Sequence, residues 1–238
     1  MPKRPCALAI TDDDTTIISA DKFGDVFSLP IIVSEASEQT TSEAQPETPN
    51  PEPVEALLFT PAANTLTVHS VRNRRALENQ KRQTVTKPER AAPIFEYKLL
   101  LGHVSMLTDV ALLTYNGKRY IFTADRDEHI RISRGIPQTH IIEQFCLGHT
   151  EFVSRLCLPD SCPGLLISGG GDDDIFLWNW ENGRLLSKAD LKSHVEIVHH
   201  SSGKAAEDGS VEGLKIAVSS IQHVRLGVED IILVSCEA

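Results

Sequence analysis

LGHVSMLTDVALL (101–113) with YIFTADRDEHIRIS (120–133), and LGHTEFVSRLCLP (147–159) with LLISGGGDDDIFLW (165–178), are two copies of one pattern. The pairs Gly102-His103 and Gly148-His149 stand 46 residues apart. Thr123 and Ser168, Asp127 and Asp172, and Ser133 and Trp178 each stand 45 apart. After each Gly-His comes an alternating apolar run, which predicts a half-buried strand. A loop follows, then a strand pattern closing on Thr or Ser, an acidic turn and a second alternating strand.

A period in the mid-forties, opening on Gly-His and closing on Trp, predicts the four-stranded blade of a WD-type β-propeller. Asp127 and Asp172 fall where the inner hairpin reverses, and a short carboxylate there can bond nearby backbone N–H groups. In such blades His, Ser or Thr, Asp and Trp form a buried hydrogen-bond chain. One copy supplies His149, Ser168, Asp172 and Trp178. The other supplies His103, Thr123 and Asp127 but has Ser133 in place of Trp, so its network is expected to be weaker.

Working outward, CALAITDDDTTIISADKFGDVFSLPI (6–31) matches the back half of a blade through Ser19, Asp21 and Val26 to Leu29. LKIAVSSIQHVRLGVEDIILVSCEA (214–238) keeps the alternation but has no Gly-His and no Trp. The expected organisation is a partial WD blade over 1–33, an insertion over 34–93, blades over 94–140 and 141–190, and a degenerate or partial blade over 191–238. The fold class is therefore all-β, a WD-repeat propeller. About four blades are expected, the low end of the propeller range, so the ring is expected to be incomplete.

The insertion divides by charge. Ser34 to Ala56 carries six Glu and no Lys or Arg, with Pro46, Pro49, Pro51 and Pro53 among them. Within it, Ser34 to Pro53 buries too little apolar area to offset its ordering entropy and is expected to be disordered. Val71 to Arg90 carries Arg72, Arg74, Arg75, Lys81, Arg82, Lys87 and Arg90 against two Glu. Three readings fit it: a solvated charged loop, a nuclear-targeting patch, or a weak contact to an RNA backbone. FEYKLLLGH (95–103) reads as the outer strand of the interrupted blade running into the next.

Net charge is −10. Phosphate repels such a chain as a whole, although local basic patches remain available. Five cysteines at irregular spacing without a CxxC argue for reduced thiols rather than disulfides or a zinc ribbon. No apolar run is long enough to span a bilayer, so no membrane role is expected. The start lacks the apolar stretch of a secretory signal. A nuclear location is expected, with the cytoplasm as a second one.

ADKFGDVFSLP, FTADRDEHIRIS, and FCLGHTEFVSRLCLP followed by LLISGGGDDDIFLWNWENGRLL together carry a more specific resemblance. The sequence resembles the non-catalytic WD-repeat subunits of fungal tRNA (guanine-N7-)-methyltransferases, over Lys3–Pro30 and Ile94–Leu186 and only loosely beyond. DRDEHIR and GHTEFVSR are more specific than the WD pattern itself. The resemblance implies a seven-bladed propeller that binds and stabilises a separate catalytic subunit as a heterodimer. That subunit would bind S-adenosylmethionine and form N7-methylguanosine in tRNA, so this chain needs no cofactor and meets tRNA indirectly or weakly. The sequence is short for that family, and a truncated product is one alternative.

Arg155 opens the innermost strand of its blade, near the face where propeller partners dock. Its guanidinium can grip a carboxylate bidentately. The resemblance places a basic residue here in contact with the catalytic subunit; the competing reading pairs Arg155 with Glu151 inside its own blade. Arg126 and Glu151 join Arg155 as candidate partner-binding residues.

Catalysis is not expected. Gly169-Gly170-Gly171 runs into Asp172 to Asp174, which would repel phosphate rather than cradle it. Those aspartates lack the spacing of a calcium loop, and the histidines at 194, 199, 200 and 223 have no zinc-ligand spacing. Ser168, His149 and Asp172 could be drawn as a nucleophilic triad, but their blade positions assign them to strand anchoring. The competing functions are a generic WD-repeat adaptor in another complex and a product that cannot close.

Overall fold

A computed structural model describes residues 4–32, 96–201 and 215–237. The expected acidic and basic insertion, including Arg72, Arg74, Arg75, Lys81 and Arg82, lies outside these residues.

Three four-stranded antiparallel sheets and one two-stranded sheet make up the described chain. Blade 1 is β1 (Pro5–Ile10), β2 (Thr16–Asp21), β3 (Asp25–Pro30) and β4 (Lys98–Gly102). β3 pairs with β4 through Asp25↔Gly102 and Ser28↔Lys98, so its outer strand comes from beyond the insertion. Blade 2 is β5 (Leu107–Tyr115), β6 (Lys118–Asp125), β7 (His129–Arg134) and β8 (Ile142–Leu147). Blade 3 is β9 (Val153–Cys157), β10 (Leu165–Gly170), β11 (Asp174–Asn179) and β12 (Arg184–Asp190). A helix, α1 (Lys192–Ser201), then precedes the hairpin of β13 (Ala217–Leu226) and β14 (Glu229–Glu237).

The helix lies within 191–238, the segment expected to be a degenerate or partial blade, ahead of its alternating strands. Its start is capped, Ser193 N–H donating to Asp190 Oδ1 at 3.1 Å and the Ser193 hydroxyl bonding the same carboxylate. That satisfies donors an α-helix otherwise leaves open at its first turn. Among the described residues no helix is long and apolar enough to cross a membrane.

The first strands of successive sheets touch one another, β1 against β5, β5 against β9 and β9 against β13. This stacking, with outer strands radiating away, is propeller geometry. Three seams follow from the alternation. Ile18, Val26, Val110 and Ile121 fill the first, between blades 1 and 2. Phe122, Ile132, Leu166, Phe176, Trp178 and Trp180 fill the second, between blades 2 and 3. Cys157, Ile167, Ile175, Val218 and Ile221 fill the third, between blade 3 and the hairpin. Trp180 is ringed by Tyr115, Tyr120 and Phe122 with centroids 4.9–5.6 Å away. Its indole N–H donates to Pro163 O at 2.6 Å, so this buried indole carries no unmet donor.

Candidate partner-binding face

The blade 3 network is complete. An indole can only donate, so Trp178 Nε1–H gives its proton to Ser168 Oγ at 2.8 Å. The hydroxyl then donates onward to His149 Nε2 at 2.7 Å, which leaves Nδ1–H to donate to Asp172 Oδ2 at 2.7 Å. A neutral imidazole with its proton on Nδ1 fits both bonds. Burial pushes the His149 pKa down, in agreement. Burial pushes Asp172 up, but bonds from Thr150 and His149 outweigh it and hold the carboxylate below its ordinary range. Asp172 Oδ1 also accepts from the Thr150 N–H at 3.0 Å and hydroxyl at 2.6 Å. The loop before β9 is therefore tied to the turn after β10. Phe176 stacks on the His149 ring with centroids 3.9 Å apart.

Blade 2 departs from the expectation. Thr123 Oγ1 meets His103 Nε2 at 3.2 Å, but Asp127 is exposed at the turn and takes no part. The carboxylate that organises this turn is Asp125, whose Oδ1 accepts the N–H groups of Asp127 and His129, both at 3.0 Å. Asp21 does the same in blade 1 for Phe23 at 2.8 Å and Asp25 at 3.1 Å. Spacing alone aligned Asp127 with Asp172. Yet in blades 1 and 2 an aspartate two residues after the Ser or Thr closes on its own turn, whereas blade 3 has Gly170 there and Asp172, four residues after Ser168, reaches the histidine. The repeated Ser19-Ala20-Asp21 and Thr123-Ala124-Asp125 were the signal that separates the two. Where Trp178 stands in blade 3, Ser133 accepts from Arg131 Nε at 3.0 Å. Burial and the nearby Arg131 charge push the His103 pKa down to about 4.

Register places Leu107 beside Asp125 and Val153 beside Gly170. Arg126, Glu151, Asp172 and the start of the strand bearing Arg155 therefore share one end of the blades. Arg126 and Glu151 are exposed there. Arg155 lies deeper, on β9, and does not pair with Glu151. Its Nε donates to Ser219 O on β13 at 2.7 Å and its Nη1 to Ser154 O at 3.0 Å. Among the described residues no bond engages Nη2. Asp109, half-buried between β5 and β9, accepts the Leu156 N–H at 2.9 Å, and its pKa is raised by desolvation against the opposing Arg155 charge. Beside this end lies a groove of about 730 Å³, bounded by Glu151, Phe152, Asp173, Lys188, Lys192 and Lys215. Lys192 and Asp173 pair across it at 2.9 Å.

Sequence reading missed the polar pins between blades. Thr108 Oγ1 donates to Val153 O at 2.5 Å and Ser154 Oγ to Val218 O at 2.5 Å. Their 46-residue spacing was available in the sequence, but only three-dimensional stacking gives it meaning. Among the described residues no group of three or more His, Cys, Asp and Glu could hold a metal.

Radially stacked four-stranded sheets with a His-Ser-Trp-Asp chain define a WD-repeat protein of propeller type. Among solved structures, the computationally designed Ika4 protein overlays at a TM-score of 0.43 and 14% identity, over 80% of this chain and 74% of that one, too weak a likeness to build on. Sequence comparison is far more specific. The model of the tRNA methyltransferase TRM82 WD40 domain matches residues 1–238, and the chain belongs to that family. It is 58% identical, over its whole length, to the tRNA (guanine-N(7)-)-methyltransferase non-catalytic subunit trm82 of Sclerotinia sclerotiorum, of which it covers 45%. It is 49% identical to the corresponding subunit of Phaeosphaeria nodorum, covering 49% of it, and 45% identical to that of Aspergillus oryzae, covering 44%. The chain thus spans about half the length of these relatives.

Proposed function

We propose that this chain is a non-catalytic accessory subunit that binds and holds the catalytic subunit forming N7-methylguanosine in tRNA, as a heterodimer. The observation that carries the reading is the match of all 238 residues to a family whose relatives are named non-catalytic subunits of that enzyme. Arg155 supplies the chemistry. Two of its donors are fixed by backbone carbonyls, so little side-chain entropy is left to lose when Nη2 takes a carboxylate of the partner. Glu151 and Arg126 flank the same end of the blades and suit charges at the rim of such a contact, where they tune association more than affinity. S-adenosylmethionine belongs to the catalytic subunit in this reading, and tRNA meets this chain weakly, if through any part then through the basic stretch 72–90. The same stretch supports a nuclear location.

Arg155→Glu tests the contact. Pull-down of the catalytic subunit is expected to be lost while the β-type circular dichroism spectrum and unfolding midpoint stay unchanged. Undiminished pull-down removes Arg155 from the interface. Arg155→Lys, which keeps the charge but loses the fork, is expected to weaken binding without abolishing it.

A further inference from the structure

The first strand of each sheet carries the same irregularity. Pairing steps out of register at Cys6 in β1, Thr108 in β5, Ser154 in β9 and Ser219 in β13. Such a bulge bends its strand and re-aims the side chains beside it. The residues that follow the bulges are therefore equivalent: Ala7, Asp109, Arg155 and Ser220. Asp109 and Arg155 carry opposite charges at one register position, on strands that stack directly on each other.

Asp109 is fixed in place by backbone. Its Oδ1 accepts the Val110 N–H and its Oδ2 the Leu156 N–H, both at 2.9 Å. The Leu156 N–H belongs to the peptide link that follows Arg155. Arg155 is thus gripped from two sides, its peptide by Asp109 of blade 2 and its Nε by Ser219 O of β13. Among the described residues no direct ion pair joins the two side chains, and their attraction acts through space. Of the other elements packed against β5, β1 brings Cys6 and β2 brings Asp21, while β6 sets Ala124 opposite Asp109, with Asp125 at the strand's end. Burial, followed by the charges of Asp21 and Asp109, pushes the Cys6 thiol up. Arg155 is the cation that acts on Asp109, and desolvation outweighs it and both amide bonds. A half-buried carboxylate, less inclined to ionise than usual, therefore stands beside the guanidinium.

Given Arg155 as the partner contact, on which this rests, we infer that Asp109 is a built-in counter-charge: it shares the guanidinium until the partner's carboxylate arrives, and docking then places a proton on Asp109. Before docking, the Asp109 charge offsets part of the cost of holding Arg155 partly out of water. When a carboxylate reaches Nη2, two negative charges face one positive. Neighbouring like charges favour the neutral form of one of them, and the pair titrates as a unit. Asp109 is the member that takes the proton, because its site already disfavours the ionised form. The complex then binds more protons than the separate chains, so association strengthens as pH falls. The same charge weakens the grip of Arg155 at higher pH, where Asp109 stays ionised and repels the incoming carboxylate.

Titration calorimetry on the 238-residue chain with the catalytic subunit of one of the matched fungal enzymes tests this. It is run at about pH 6 and about pH 8, in buffers of differing ionisation enthalpy, which counts the protons taken up on binding. The wild type is expected to take up part of a proton and to bind more tightly at the lower pH. Asp109→Asn keeps an oxygen for the Leu156 N–H but carries no charge. It is expected to bind about three- to tenfold more tightly than the wild type at about pH 8, with less proton uptake. Asp109→Ser, smaller and also neutral, is expected to reduce the uptake in the same way, and circular dichroism checks that each variant is folded. Histidines of either chain titrate in every case, so the difference between wild type and variant is the readout. A wild type that takes up no protons overturns the proposal without any variant. So does an Asp109→Asn chain that binds no more tightly than the wild type or takes up as many protons, because Asp109 is then a structural brace alone. Arg155→Glu that still binds removes the contact itself. Arg155→Glu that loses binding, beside an Asp109→Asn chain indistinguishable from wild type, removes only the counter-charge.

Discussion

Blades 2 and 3 share a repeat, a strand order and a Gly-His start, yet one is tied together by side chains and the other by its turn. In blade 3 four buried groups run from Trp178 to Asp172, and the carboxylate also fastens the loop before β9. In blade 2 the chain stops at Thr123–His103, and Asp125 folds back on its own hairpin. The difference shows that WD blades need a satisfied hinge between inner strand and turn, not one particular set of residues. It also shows that only the blade 3 network extends to the loop before the strand that carries Arg155.

The largest break in the comparison comes from Trp178→Ala. It empties a fully buried site and strips Ser168 of a donor, at an expected cost of about 3–5 kcal/mol in denaturant unfolding. The same change has no counterpart in blade 2, where Ser133→Ala is expected to cost about 1 kcal/mol.

The histidines come next. His149→Ala leaves Asp172 and Ser168 buried without their partner, about 2–3 kcal/mol, whereas His103→Ala is expected to cost about 1 kcal/mol. Both imidazoles titrate below their ordinary 6.5 in the folded chain, His103 near 4. The unfolded chain therefore takes up protons first as pH falls from 6.5 toward 4, and stability falls over that window. Asp109, raised by burial, acts in the opposite sense and lessens the fall. A urea midpoint higher at pH 5 than at pH 7 would contradict the neutral-imidazole assignment.

Smaller effects sharpen the turn. Asp125→Ala removes an acceptor from two N–H groups and is expected to cost about 1 kcal/mol, while Asp127→Ala stays within about 0.5 kcal/mol. Equal losses would restore Asp127 to the network. Glu128 holds a left-handed φ of 71° at the position where blade 1 has Gly24 at 95°. A side chain is strained there, so Glu128→Gly is expected to raise stability by about 0.5–1 kcal/mol, read as a higher thermal midpoint.

Much of this was legible in the sequence. Spacing gave the blades, and alternation gave which strand faces each seam. The chain of Trp178, Ser168, His149 and Asp172 was nameable because each residue type has one role in that pocket. What escaped depends on which blade stands next to which: the Thr108 and Ser154 pins, the Arg155–Ser219 bond, and Asp125 displacing Asp127. Hydrogen bonds to backbone carbonyls leave no pattern on the acceptor side, so Ser219 could not be read as a partner. Helix α1 was hidden for another reason. KSHVEIVHHS has apolar residues that stay exposed, Ile197 and Val198 among them, so no buried face marked it.

The central claim is that the chain holds a catalytic partner through the blade 3 face. Co-expression with the catalytic subunit of one of the matched fungal enzymes, followed by gel filtration, tests it most directly. The two chains are expected to elute together, and Arg155→Glu is expected to separate them. Wild-type chains that are each folded yet elute apart would contradict the claim.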